Sequence, residues 1–217
     1  MPRSRPARVV TTRVHAIRRA ARRLAPLALA MMLMPVFGSG LDDRLERYDT
    51  QKMSGWTIRV NRDLQGDLRA LVLRQLAWDL SEIDRVIPEG ARRRLAHVVF
   101  WVEAQGATVE GGMSGRGMCY HPSREWLVSN GLMAEKAKGV EIVRAADFPE
   151  WRINQPWMVF HEMAHALHDA IDFEHPDVEA AWKAAMERGD YDEVDHNTQD
   201  DGRPVRAYAC TNPKEYF

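Results

Sequence analysis

The stretch "VFHEMAHALHDAI", residues 159–171, places His161 and His165 four apart with Glu162 beside the first. On a helix, residues four apart stack one turn above the other. Two imidazoles so placed can converge on a single ion at about 2.0–2.1 Å. Glu162 is turned by about 100° from His161, so it can reach a water on that ion without being a ligand itself. The chemistry implied is hydrolysis, with a metal and its own general base on one helix. The competing reading is a core helix whose histidines hydrogen-bond to neighbours.

A catalytic zinc ion takes three protein ligands and keeps a fourth position open. The metzincin spacing would need Gly at 168 and His at 171, where this chain has His168 and Ile171. The thermolysin-type spacing would need Glu at 184 or 185, where it has Ala184 and Ala185. Both spacings are excluded. The remaining candidate is Glu215 in "YACTNPKEYF", which follows a turn-prone Thr-Asn-Pro.

The elements that must position these residues are legible in outline. Asn154, Gln155 and Pro156 suit a helix start. Trp157, Phe160, Ala164, Leu167 and Ile171 then make one apolar stripe at spacings of three and four. Leu68, Val72, Leu76, Leu80, Ile83 and Ile87 predict a second amphipathic helix, ended by Pro88 and Gly90. "GWTIRVN" (55–61), "AHVVFWV" (96–102) and "GVEIV" (139–143) predict strands. "GATVEGGMSGRG" (106–117) reads as a mobile loop and lacks the Gly-Lys-Ser/Thr ending of a phosphate loop. The expected fold is α+β, a single domain over residues 41–217 with a mixed sheet and an active-site helix.

The first 40 residues hold eight Arg and no acid, so the remainder carries 22 basic against 31 acidic residues, or −9. An acidic folded part argues against a nucleic-acid partner. The basic start serves another role. Its Arg-rich region is followed by the 14-residue apolar run "LAPLALAMMLMPVF" and by "GSG", the pattern of a secretory signal. The run is short of the roughly 20 residues that span a bilayer, and an uncleaved N-terminal anchor is the alternative. The paired arginines 18–19 and 22–23 give only a weak hint of a twin-arginine route. Secretion, or export to a periplasm, is expected, with no membrane association after signal removal. There Cys119 and Cys210 meet an oxidising compartment and read either as a disulfide or as two buried thiols.

The blocks "GWTIRVNRDL", "YHPSREWL", "INQPWMVFHEMAHALHD" and "YACTNPKEYF" resemble those of secreted zinc metallopeptidases whose catalytic domain is like that of anthrax lethal factor. The resemblance runs from about Tyr48 to the last residue. It implies a zincin-like fold, a zinc cofactor and a peptide or protein substrate. It also implies His161, His165 and Glu215 as ligands and Glu162 as base; Glu215 lies 50 residues past His165. A Tyr seven residues before the third ligand steadies the oxyanion in that group, and Tyr208 occupies that place. Pro213 suits a helix start, so Tyr208 is expected in the turn that enters the helix. Similar proteins continue through a full helix beyond the ligand, whereas this chain stops at Phe217, which reads as truncation.

Other readings stay open beside this one. The chain reads alternatively as a zincin-fold binding protein without turnover, or as a zinc amidohydrolase of a non-peptide substrate. "GVEIV" reads either as a sheet edge that pairs with an extended peptide, by resemblance, or as an interior strand. Asp169 reads as a partner that orients an imidazole or as a surface acid, and His168 as a helix-surface histidine in preference to a ligand. His121 reads as a turn residue in preference to one that approaches the site. "DYDEVDHNTQDD" (190–201) lacks the Gly and Glu of a calcium loop and reads as a solvated connector.

Overall fold

The computed structural model describes residues 42–106, 117–195 and 202–217. The chain divides into two units, Met1–Phe37 and Gly38–Phe217. The secretory-type start, the bulk of the glycine-rich loop and the end of the acidic connector lie outside the described residues. Among the described residues no helix is long and apolar enough to cross a membrane.

The second unit opens with a short helix, α1 (Asp42–Leu45), and an antiparallel hairpin, β1 (Tyr48–Met53) and β2 (Trp56–Asn61). Its two-residue turn, Ser54-Gly55, has φ of 45° and 85°. This left-handed pair matches the twist of the flanking strands. β1 is not visible as a strand in the sequence because "YDTQKM" has too few apolar residues to alternate. Its inner positions are instead packed and hydrogen-bonded through Tyr48.

Helices α2 (Gly66–Val86) and α3 (Glu89–Arg94) lead to β3 (Val99–Val102), and then come β4 (Met118–Tyr120), α4 (Arg124–Ser129) and a 3₁₀ turn at Ala134–Lys136. β5 (Val140–Ile142), α5 (Phe148–Asn154), α6 (Met158–Ala170) and α7 (Pro176–Arg188) follow. The chain ends with a 3₁₀ turn at Tyr208–Cys210 and α8 (Pro213–Tyr216). The fold is α+β, with one mixed five-stranded sheet in the order β1-β2-β3-β5-β4. β2, β3 and β5 are parallel neighbours, and β1 and β4 are antiparallel edges.

"GVEIV" is therefore interior, between β3 and β4, and the edge on that side is β4. All three residues of β5 are buried, as for a strand covered on both faces.

Alternation along the strands sorts the sheet into two faces. On one, Trp56, Ile58, Val60, Phe100, Val102, Val140 and Ile142 pack with Val72, Leu76, Leu80 and Ile83 of α2 and Val159, Met163 and Ala166 of α6. The α2 stripe is the one the sequence periodicity predicts. The α6 stripe is so only in part, since Leu167 packs against the core. Trp157 and Phe160 are half-exposed, and the core instead takes the neighbouring positions 159, 163 and 166. Both stripes recur at three and four, because α6 is apolar on two faces. Periodicity alone does not say which of them meets the sheet.

The helix start also differs. Asn154 ends α5, and α6 begins at Met158 after Trp157, whose φ is 71°. A non-glycine residue in this left-handed region is uncommon and is held by its surroundings.

Candidate metal centre and active-site cleft

α6 presents His161 and His165 on one stripe, and α8 brings Glu215 to them from the end of the chain. The Nε2 atoms of the two histidines are 3.1 Å apart. Glu215 Oε2 lies 3.3 Å from the first and 3.5 Å from the second. Donors at about 2.0–2.2 Å from a tetrahedral zinc ion stand ~3.3–3.6 Å from one another, so this triangle has the size of a zinc coordination face. Glu215 Oε2 is buried and, beyond its ion-pair contacts with the two imidazoles, has no hydrogen-bond partner among the described residues. A buried carboxylate oxygen left unsatisfied is costly unless a cation completes it. The residues fit the ion.

The electrostatics follow the geometry. Burial pushes the Glu215 carboxyl up, but the two imidazoles beside it outweigh that and hold it down at about 2. The same contact with Glu215 raises His161. Glu162 is different: burial dominates and raises its carboxyl above the ordinary range. Its Oε2 accepts a 2.7 Å hydrogen bond from the backbone N–H of Tyr120 on the edge strand.

Side-chain contacts fix the placement of α8 (Pro213–Tyr216). Asn212 makes one: its side-chain oxygen accepts from the backbone N–H groups of Lys214 and Glu215. This is the N-cap role of asparagine, with Pro213 in the first turn. Tyr208 lies before this helix, in the 3₁₀ turn, as the proline predicts. Its side chain is 67% exposed and its ring centroid is 6.5 Å from that of His161.

His161, His165 and Glu215 sit in a cleft of about 730 Å³. One wall is the start of β4 and the other is aromatic, with Trp151, Trp157, Phe160 and Tyr208. Gly117 opens the β4 wall: a Cβ there would lie 2.5 Å from the ring of Trp151.

Three polar residues take roles other than those expected. Asp169 does not orient an imidazole. Its Oδ2 accepts from the Tyr120 hydroxyl and from Lys138, each at 2.5 Å, so α6 grips the edge strand at both Glu162 and Asp169. His168 is not on the surface but fully buried. His121 is not a turn residue: it is buried on the far face of the sheet, where its Nε2 is 2.6 Å from Glu141 Oε2.

That far face holds a second group of metal-type donors, Cys119, His121 and Glu141. Lys136 Nζ lies 2.6 Å from Glu141 Oε1 and 2.7 Å from Glu103 Oε1. Tyr48 and Asn61 donate to Glu103 as well. Both oxygens of Glu141 are thus committed, and an ammonium stands where a second cation would be repelled. This is a buried ion-pair network and not a metal site. Burial alone would raise Glu141, but His121 and Lys136 hold it below its ordinary range. Burial would lower Lys136, and the two carboxylates raise it instead. The two cysteines are not joined to each other: Cys119 belongs to this network, and Cys210 Sγ is 3.4 Å from Tyr191 O.

No protein-family model, no curated protein and no solved structure matches this chain.

Proposed function

We propose that this chain is a secreted zinc-dependent metallopeptidase of zincin-like fold. The observation that carries the reading is the triangle of His161, His165 and Glu215, with Glu162 buried beside it on the same helix. His161, His165 and Glu215 would hold the zinc. A zinc ion in such a site supplies a water with a pKa near 7 and polarises a carbonyl.

The chain's own groups then divide the work. Glu162 takes the proton and returns it to the leaving amine; its burial raises its carboxyl above the ordinary range, the direction that suits a general base. The Tyr120 N–H fixes one oxygen of Glu162 and leaves the other to carry the proton. Tyr208, at the rim of the same cleft, donates its O–H to the oxyanion that develops. An extended peptide would lie along the edge strand β4, which runs beside α6.

The test is metal analysis of the purified protein together with a peptide-library digest. One zinc per chain and cleavage that stops with a chelator are expected. A protein that takes up no zinc after loading overturns the reading. Zinc without any peptide cleavage turns it towards a binding protein or a non-peptide amidohydrolase. Export belongs to the same proposal and rests on residues 1–40. N-terminal sequencing of secreted material should begin near Leu41, and retention of the whole chain inside the cell would sink it.

A further inference from the structure

His168 lies in the last turn of α6, three residues past His165 and seven past His161. It continues the helix stripe that carries both metal-type histidines. It is 0% exposed, and neither ring nitrogen has a hydrogen-bond partner among the described residues. What the ring offers is its surface. Phe217 stacks on it at 4.4 Å between centroids with 20° between planes, and Phe173 meets it edge-on at 5.2 Å.

Phe217 is two residues beyond Glu215, at the C-cap of α8. Asn212 pins the start of that helix. On the other side of Glu215, Phe217 is packed on His168, with Tyr216 against Tyr191 at 5.8 Å to one side. Glu215 sits between these two clamps. One clamp stands on α6 itself, one turn from His165.

We propose that His168 is a positioning residue for the metal centre: it seats Phe217 by stacking, and so sets Glu215 against His161 and His165. The inference rests on the reading of those three residues as ligands. It makes zinc affinity depend on a ring that does not touch the ion, and on the face of that ring, not on its nitrogens. Outer-shell partners of metal ligands typically contribute about 10- to 100-fold in affinity.

The experiment is zinc competition against a chromophoric chelator, with the full chain stripped of metal. Phe217→Ala and His168→Ala should each weaken zinc by about tenfold or more. His168→Phe should stay close to the parent, because it keeps the stacking surface. The double variant His168→Ala/Phe217→Ala should be no weaker than the weaker single one, as expected for two halves of one contact. Amide exchange of residues 213–217 in the metal-free protein should quicken in both alanine variants and not in His168→Phe. Should His168→Ala fail to fold, Phe217→Ala and His168→Phe decide the matter.

Zinc affinity unchanged by Phe217→Ala overturns the inference. So does a His168→Phe protein as weak as His168→Ala, which would give the role to the imidazole nitrogens. A parent chain that binds no zinc overturns the ligand reading, and the inference with it. A parent that binds zinc beside an unshifted Phe217→Ala overturns the inference alone.

Discussion

Glu162 differs from Glu215, the other carboxylate lining the cleft, in that its carboxyl is raised by burial whereas Glu215 is held down by the two imidazoles. Glu162→Gln should keep zinc and fold but cut hydrolysis by at least about a hundredfold, the low end for a general acid–base group. Equal turnover in parent and variant, measured on one peptide at matched zinc content, would remove Glu162 from the mechanism. Tyr208→Phe should also keep zinc and lower kcat by about 10²- to 10³-fold, as for the loss of one oxyanion donor. An unchanged kcat would leave Tyr208 as a rim residue only. At this scale the sequence was most informative where spacing constrains space: positions 161, 162 and 165 follow from helix geometry alone. Glu215 came from elimination and from the resemblance, since no spacing within one element ties it to α6. The contact of Tyr120 with Glu162 could not be read at all, because it is made by a backbone N–H that carries no sequence signal.

Among the elements, α6 and β4 form the working pair, and their spacing is set twice, by Glu162 on the Tyr120 N–H and by Asp169 on the Tyr120 hydroxyl. Asp169→Ala should lower stability by roughly 1.5–3 kcal/mol, the range for a hydrogen bond to a charged group. Urea unfolding reads this directly, and a loss well under 1 kcal/mol would mean that Asp169 does not hold the strand. α2 was legible because only one of its faces is apolar. α6 was legible as a helix but not in its orientation, since Trp157 and Phe160 line a cleft that no periodicity reveals. α5 was missed because "FPEWRIN" is too short to show a repeat. β1 and β4 were missed for a related reason: an edge strand of three or six residues, partly polar, alternates too little to be seen.

For the molecule as a whole, the far face of the sheet carries a risk that the apolar face does not. Glu103, Glu141, Lys136 and His121 are all buried there. Glu141 titrates below its ordinary 4.5, so its stabilisation is present above that pH and is lost as pH falls through the lower folded value. Lys136 titrates above its ordinary 10.5, so its contribution is full below that pH and fades as pH rises through the higher folded value. Melting temperatures across pH should therefore show Glu141→Gln costing most at neutral pH and converging on the parent in acid. A gap that stays constant down to strong acid would contradict this. Lys136→Met should cost about 3–5 kcal/mol, because it leaves two buried carboxylates opposed by no ammonium. The same arithmetic bears on how such a sequence can drift. No member of this group can be exchanged alone without stranding the others, so change there must arrive in concert, as a simultaneous replacement by apolar residues of similar volume. Among sequences descended from a common ancestor with this one, positions 103, 136 and 141 should vary together or not at all, while the solvent-facing side of α2 wanders freely.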